Sequence, residues 1–349
     1  MSKILTLNAG SSSLKFRLYG DKNIKEGEID RIGLDHSFAE VNGARVYVKL
    51  RNMKEALKLL FKIIGEFDII AHRVVHGGGL EETCLITKDV IKKIKENIEL
   101  APLHNAPELE AINHCMKHKQ YAVFDTLTFE DNYPLPGSIL NKYKIKRYGF
   151  HGLAHKYVMG KLKEKRIINC HLGQGGSVAA IENGKIIKNS FGFTPLDGVI
   201  MGTRSGNIDP GLVLYLCGKL GYRKVEEILN KYSGLKALSG KESFKDVIKR
   251  NNKKVLEKFA DSVVKYISYY FTVLGNVDGI CFTGGVGYNE GLVREMIVNK
   301  LKVFNVKLDG RKNKANKENL ISSKSSKVKI YRIKVDEQEV IYNEVMKKI

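Results

Sequence analysis

Two stretches set 163 residues apart share one plan, and that repetition narrows the possible folds more than any other feature of the chain. ILTLNAGSSSLKFRLYG (4–20) and IINCHLGQGGSVAAIENGKII (167–187) each pass from an apolar β-type run through a turn of small residues into a second β-type run. Sliding one onto the other places His171 on Asn8, Gly173 on Gly10 and Gly176 on Ser13. The second stretch adds Asn183-Gly184, a strong hairpin signal. Similar hairpins opening two halves imply a duplicated domain, with the two turns facing each other across a cleft. Each turn alone has two readings. Gly and Ser are ordinary hairpin residues. They also suit a phosphate cradle, in which Gly lets the backbone approach an anion while amides and hydroxyls donate and Lys15 adds charge. Neither turn is a Walker loop, because LKFRLY (14–19) alternates apolar and polar residues as a strand does. GLKALSGKES (234–243) also fails that pattern: its glycines are one residue too far apart and Glu242 replaces the hydroxyl.

Around the hairpins, helical and strand patterns alternate, as in α/β proteins. EALKLLFKIIGEF (55–67) and PELEAINHCMKH (107–118) have helical periodicity, while FDIIAHRVV (67–75) and YAVFD (121–125) read as strands ending at polar residues. A long helical pattern from Lys254 to Leu274 precedes VDGICFTGG (277–285), after which Asn289 is expected to start the helix GLVREMIVNKL. A strand, glycines and a helix N-terminus in that order bind anions through backbone amides. The length of 349 residues suits about two domains, and 43% hydrophobic residues can fill their cores.

Composition removes several function classes. Five scattered cysteines with no CxxC pair suggest neither a disulfide framework nor a zinc site, and a reduced cytosol fits them. No signal-type segment or long apolar stretch is present, so a soluble cytoplasmic protein without membrane contact is expected. The net charge of +21 comes mainly from lysines dispersed among Glu and Asn, as in KDVIKKIKENIEL (88–100), rather than from a basic stripe with aromatics. Nucleic acid is therefore not the expected partner, whereas small anionic substrates are favoured. GRKNKANKENLISSKSSKVK (310–329) reads as a polar surface excursion.

Arg73, in AHRVVHGGG, and Arg204, in GVIMGTRSGNIDPG, stand in apolar surroundings beside glycine loops. One such arginine is ordinarily a structural ion-pair partner; two suit bidentate clamping of carboxylate or phosphoryl oxygens. His72 with His76 and His151 with His155 are spaced by four residues but lack the HExxH glutamate, so hydrogen bonding at a phosphoryl site fits them better than a transition metal. Asp125 ends one strand pattern and Glu337 follows YRIKV. Either acid can be a helix cap or surface charge, and acids at strand ends among glycine loops also suit Mg²⁺.

NAGSSSLK (8–15), HRVVHGG (72–78), APLHN (101–105), FDT (124–126), RYGFHG (147–152), HLGQGGSVAA (171–180), GFTPLDGVIMGTRSGNIDPG (192–211), SGLKALSG (233–240) and FTGGVGYNEGLVRE (282–295) together resemble the acetokinase family of the actin, Hsp70 and sugar kinase superfamily. The resemblance covers most of the chain in family order. It implies an α/β fold of duplicated actin-like (ribonuclease H-like) ATPase domains with the active-site cleft between them. Residues 1–128 plus 339–349 would form the N-terminal domain and 129–338 the nucleotide-binding one. The implied reaction is reversible, Mg²⁺-dependent, in-line transfer of the ATP γ-phosphoryl to acetate. Propionate and butyrate are the alternative acceptors, and a nucleotide-dependent binding module is the non-enzymatic one.

Carried over by motif, the catalytic residues are Asp125, Arg73, Arg204, His151 and His104, and the metal residues are Asn8 and Glu337. Arg73, Val75, Leu103, Phe150 and Pro195 would hold the acyl substrate. Ser11, Ser13, Lys15, His171, Gly173, Gln174, Gly175, Lys245, Gly284, Gly285, Gly287 and Asn289 would bind the nucleotide and its phosphates. The implied partners are acetate and ATP with Mg²⁺, for which Mn²⁺ can substitute, and the implied assembly is a homodimer. The chain departs from the family in a compressed segment between Asp125 and His151, in Gln174 and Tyr288, in DEQE (336–339), and in Ser243-Phe244-Lys245 where Asp-Phe-Arg is usual.

Overall fold

The apolar alternation of the first hairpin is realised as an antiparallel pair. Strand β1 (Ile4–Ala9) pairs with β2 (Ser13–Tyr19) in a register that sets Asn8 opposite Lys15 and Ala9 opposite Leu14. The computed structural model describes residues 2–20, 24–129, 131–250, 252–315 and 319–349, without the side chains of Leu103 and Thr128. The chain divides into two compact units, Met1–Leu127 with Asp336–Ile349, and Thr128–Val335.

In the first unit β3 (Lys25–Asp30), β4 (Phe38–Val41) and β5 (Ala44–Tyr47) continue the sheet beyond β2. On the other side of β1 lie β6 (Ile69–Val74), β8 (Lys119–Phe124) and the short edge strand β7 (Cys84–Leu85), giving the order β5-β4-β3-β2-β1-β6-β8-β7. β1, β6 and β8 are parallel, so their C-terminal ends lie together. Leu14, Phe16 and Leu18 of β2 pack with Leu5 and Leu7 of β1 against helix α1 (Met53–Ile64). Burying a side chain such as Phe16 contributes about 2 kcal/mol relative to leaving it in water. The helix starts two residues before the expected span because the Asn52 side chain accepts from Glu55 N, and it stops at Gly65, whose φ is +80°. Helices α2 (Lys88–Glu96) and α3 (Pro102–His114) cover the region around β6 and β8. α3 begins at Pro102 and carries Pro107 inside its first turns, so it lies earlier than the expected 107–118. A C-terminal helix, Glu337–Met346, is capped by Asp336, whose side chain accepts from Glu339 N.

Between the sheets in sequence come the short strands β9 (Leu127–Thr128) and β10 (Tyr148–Gly149) and helices α4 (Gly137–Lys142) and α5 (Gly152–Lys161). The second sheet has β11 (Arg166–Leu172), β12 (Gly176–Glu182), β13 (Lys185–Asn189), β14 (Gly279–Thr283) and β15 (Lys329–Arg332) in the order β13-β12-β11-β14-β15. β11 is antiparallel to β12 and parallel to β14, which is parallel to β15. The run β3-β2-β1-β6-β8 of the first unit has the same order and directions, so the repeat seen in the hairpins extends to five strands. Both hairpins close over three residues, 10–12 and 173–175. Asn183 and Gly184 have φ of +49° and +73°, the pattern of a type I′ turn.

Helices α6 (Pro210–Leu220), α7 (Tyr222–Lys231), α8 (Gly234–Ser239), α9 (Phe244–Lys249) and α10 (Lys253–Leu274) follow β13. α10 buries Val255, Phe259, Val263, Ile267 and Leu274 at helical spacing. α6 differs: its sequence PGLVLYLCGKL is apolar, yet none of its residues is buried, and Leu214 and Tyr215 are 73% and 62% exposed. After β14 the chain enters α11 (Gly284–Asn289) and then α12 (Gly291–Asn299). Asn289 therefore ends one helix rather than starting the next, its Nδ2 donating to the Gly285 carbonyl at 2.9 Å. Within the polar stretch 310–329 the structure places a short helix, Gly310–Ala315. Among the described residues no helix is long and apolar enough to cross a membrane. All five cysteines are unpaired.

Candidate active site

Parallel strands that end together bring loop residues together, and here they collect charge. In the first unit Asn8 and Arg73 lie one residue before the ends of β1 and β6, Asp125 follows β8 and Glu337 opens the C-terminal helix. Arg73 Nη2 donates to Asp125 Oδ2 at 2.7 Å and Arg73 Nη1 to Asn8 Oδ1 at 3.3 Å, while Asn8 Nδ2 donates to Glu337 Oε2 at 3.1 Å. Glu337 and Glu108 each place an oxygen 3.9 Å from the Arg73 guanidinium. Burial opposes the Arg73 charge, but the carboxylates of Asp125, Glu337 and Glu108 outweigh it and raise the arginine's pKa. Burial pushes the Glu108 carboxyl up to about 8, partly offset by Arg73, and also raises that of Glu337. With all three acids ionised, one arginine faces three negative charges.

Glu108 and Asn105 are the residues that sequence reasoning missed. Both sit on α3 and both are buried. Glu108 Oε2 accepts from Val75 N at 2.9 Å. Asn105 accepts from His76 N at 3.0 Å and donates to the His76 carbonyl at 2.9 Å. Together they pin the segment that follows Arg73 and bury Val75. A buried polar pair of this kind leaves no trace in periodicity; the one available signal was Asn105 within APLHN. His104 is half-buried in the first turn of α3, its backbone amide on the Ala101 carbonyl at 3.0 Å. The Leu103 side chain lies outside the described residues. In the first turn a Cβ on Gly10 would lie 2.9 Å from Ser13 Oγ, so the loop is closely drawn. Ser11 is exposed, Ser13 is half-buried, and Lys15 is close enough to favour the ionised form of Glu337.

The second unit gathers its own group. His151 occupies the left-handed region at φ +61°, just before α5, and its ring lies 4.5 Å, centroid to centroid, from that of His171 at the end of β11. Gly175 admits both His151 and Arg204: a Cβ there would lie 2.5 Å from Arg204 Nη2 and 3.5 Å from His151 Nε2. Arg204 Nη1 donates to the Pro195 carbonyl at 2.6 Å, and the guanidinium stands 5.9 Å from the centre of the Phe191 ring. Among the described residues Arg204 makes no ion pair, and burial pushes its pKa down to about 10. Phe150 is buried edge-on against Phe191.

Gly284, at φ +75°, packs where a Cβ would lie 2.5 Å from the Leu172 carbonyl, and Gly173 and Gly285 lie beside each other. The turns at 173–175 and 284–287 thus adjoin, with Gly287 buried and Gly285 exposed. Gln174 is exposed and its Oε1 lies against Gly202. Lys245 is not drawn into this group: it is exposed on α9, which turns Phe244 and Val247 inward.

The acetokinase family model matches residues 3–343. The acetate kinase of Thermoanaerobacterium thermosaccharolyticum is 40% identical over 393 aligned residues, covering 99% of this chain and 98% of that protein. The acetate kinase of Clostridium novyi is 39% identical, covering 97% and 96%. Among solved structures, a propionate kinase from Francisella tularensis superposes with a TM-score of 0.91 at 33% identity. Porphyromonas gingivalis acetate kinase does so with 0.86 at 33%, and each comparison covers 99% of both chains.

Proposed function

The chain belongs to the acetokinase family, and from that membership and its two arginine sites we propose that it is a phosphotransferase making acetyl phosphate and ADP reversibly from acetate and ATP. The observation that carries this reading is Arg204, a partly buried cation beside Gly175 with no carboxylate to answer it among the described residues. Such a group is prepared for an anion that arrives with the substrates.

An acetate oxygen attacks the γ-phosphorus as the bond to the ADP oxygen breaks. The acceptor is already ionised at neutral pH, so no strong base is needed. Phosphoryl transfer then depends on positioning and on charge placed around the group in flight. Arg204 and His151 contact the equatorial oxygens, and Arg73, held by Asp125 and Asn8, orients the acetate carboxylate. For the acyl chain the first unit offers Val75, with His104 in support, and the second unit offers Phe150 and Pro195. For the phosphates the second unit offers His171 and the adjoining segments 173–175 and 284–287, with Gln174 and Asn289 beside them, and the first unit offers Ser11, Ser13 and Lys15.

Asp125 and Glu337, two carboxylates against the one charge of Arg73, leave an excess of negative charge that fits Mg²⁺ or Mn²⁺ beside Asn8 and Glu337. Among the described residues no cluster of three or more His, Cys, Asp or Glu is arranged as a metal cage. Mg²⁺ uses one or two carboxylates and completes its shell with water and phosphate oxygens. When bound, it would neutralise the β- and γ-phosphate oxygens.

The apolar, unburied α6 supports a homodimer that covers this helix. Leu214→Asp with Tyr215→Asp is expected to shift the mass in light scattering from dimer to monomer; an unchanged dimer places the interface elsewhere. Hydroxylamine trapping of acyl phosphate from C2 to C4 acids with Mg·ATP tests the reaction itself. Acetyl hydroxamate as the main product supports it, propionyl hydroxamate reassigns the substrate, and no product with any acid sinks it.

A further inference from the structure

Six polar groups of the second unit are joined end to end. His151 Nδ1 lies 2.9 Å from Ser177 Oγ, which lies 3.2 Å from His155 Nε2. His155 Nδ1 lies 2.9 Å from Asn169 Nδ2. On its other side Asn169 Oδ1 accepts from Thr283 Oγ1 at 3.3 Å, and Thr283 Oγ1 lies 3.1 Å from His171 Nδ1. Ser177, His155, Asn169 and Thr283 are each 0% exposed, so bulk water does not interrupt the run.

Counting hydrogens along the run fixes its direction. An amide NH₂ only donates, so Asn169 makes His155 Nδ1 an acceptor and leaves the His155 hydrogen on Nε2. That hydrogen goes to Ser177 Oγ, and the hydroxyl's own hydrogen goes to His151 Nδ1. His151 must then carry its hydrogen on Nε2. At the other end the Thr283 hydroxyl hydrogen is committed to Asn169, so Thr283 accepts from His171, which carries its hydrogen on Nδ1.

We infer that this buried run sets opposite tautomers in the two histidines, so that His151 presents an Nε2–H while His171 presents an Nε2 lone pair. Ser177, Asn169 and Thr283 are then positioning residues for the phosphoryl transfer proposed above, and that part of the inference rests on that reading. The benefit is electrostatic. His151 Nε2 and Arg204 Nη2 both lie against Gly175, and a neutral N–H can donate to a phosphoryl oxygen there without setting a second positive charge beside Arg204.

Asn189 supplies the competing order. Its Oδ1 accepts from Phe191 N, so its Nδ2 donates, reaching the Phe150 carbonyl at 3.3 Å and approaching His155 Nε2 at 3.4 Å. A bond from Asn189 to His155 would require the Asn169 amide to turn round and every donor to reverse, which would place the His171 hydrogen on Nε2. The Phe150 carbonyl takes one of the two Asn189 hydrogens, and Ser177 at 3.2 Å is a nearer partner of His155 Nε2 than Asn189 at 3.4 Å, which favours the first order.

Nitrogen-15 NMR of histidine-labelled full-length protein separates the two orders, because a protonated ring nitrogen and one bearing a lone pair have well-separated shifts. His151→Gln and His171→Gln supply the assignments. The expected result is hydrogen on Nε2 of His151 and on Nδ1 of His171; the reverse pattern overturns the inference. Ser177→Ala is expected to mix the His151 tautomers and lower kcat about tenfold with the acetate KM within about twofold, roughly the worth of one hydrogen bond. Ser177→Thr restores both. Thr283→Val, close in shape to the native residue, is expected to mix only the His171 tautomers, and Thr283→Ser restores them. Native tautomers and native kcat in both Ser177→Ala and Thr283→Val overturn the positioning role. Absence of acyl phosphate from the native protein would instead defeat the reaction, while the NMR pattern still judges the tautomers.

Discussion

Arg73 and Arg204 both follow apolar runs and both stand beside glycine-rich turns, yet the protein holds them in opposite ways. Arg73 is surrounded by Asp125, Glu108 and Glu337, and its charge is more than answered before any ligand arrives. Among the described residues Arg204 has a carbonyl and an aromatic ring for company and no acid. Removing a guanidinium from water without an opposite charge is unfavourable, and the penalty is relieved when an anion settles beside it. The first arginine is therefore part of the folded framework as well as of the site, whereas the second serves the ligand.

The sharpest way to break this contrast is to truncate each residue. Both Arg73→Ala and Arg204→Ala are expected to lower kcat by about 10²-fold or more, since each removes a fixed positive donor. Only Arg73→Ala should also cost stability, about 3–5 kcal/mol, because it takes the guanidinium away from the buried Asp125 carboxylate. Arg204→Ala should stay within about 1 kcal/mol of the native protein. Urea midpoints measured beside the kinetics decide it, and equal stability losses would erase the distinction.

Glu108 sharpens the contrast through pH. Its folded pKa of about 8 lies above that of an exposed glutamate, so the folded state binds the proton more tightly. The resulting stability is present at low pH and is lost as pH rises through about 8. Glu108→Gln, which can still accept from Val75 N, removes this dependence. The variant's urea midpoint should gain on the native one as pH is raised from about 5 to about 8, and parallel curves would mean that Glu108 stays ionised throughout.

A smaller effect is expected at Val75, which α3 pins beside Arg73. Val75→Ala should improve kcat/KM for propionate relative to acetate by no more than the worth of a methylene, about 1–3 kcal/mol. An unchanged ratio removes Val75 from the acyl pocket. The smallest effect concerns the nucleobase. Lys245 is exposed and cannot stack as an arginine can, so the preference for Mg·ATP over Mg·GTP should be weak. Lys245→Ala should change that ratio by no more than about twofold, as for an ordinary surface substitution. A tenfold change in initial-rate comparisons would return Lys245 to the nucleotide site.

Legibility in the sequence followed the range of the forces involved. The alternation of Leu14, Phe16 and Leu18, the apolar GICFT strand and the spacing of α10 are local patterns, and each element formed where its pattern lay. The two hairpins announced the repeat, though not that it extends to five strands, since strand order is set by pairing between distant segments. Ends shifted where caps acted, at Asn52 and Pro102. Glu108 is one of two glutamates in PELEAINHCMKH, and only the packing of α3 over the segment after Arg73 sets it apart. Nothing local marks Ser177 after Gly175-Gly176; its importance comes from His151 and His155, which meet it only in the folded unit.

The return of the chain to its first unit carries a consequence for synthesis. Glu337 Oε2 lies 3.9 Å from Arg73 Nε, but the whole second unit, Thr128–Val335, is made between the body of the first unit and the helix that completes it. At about 5–20 residues per second a ribosome needs about 10–40 s to cross that span. Throughout that interval Asn8, Arg73 and Asp125 exist without Glu337, and the bed of the C-terminal helix is open. The first half of the protein to emerge is thus the second to be finished, and it waits unsealed while its successor is still being translated.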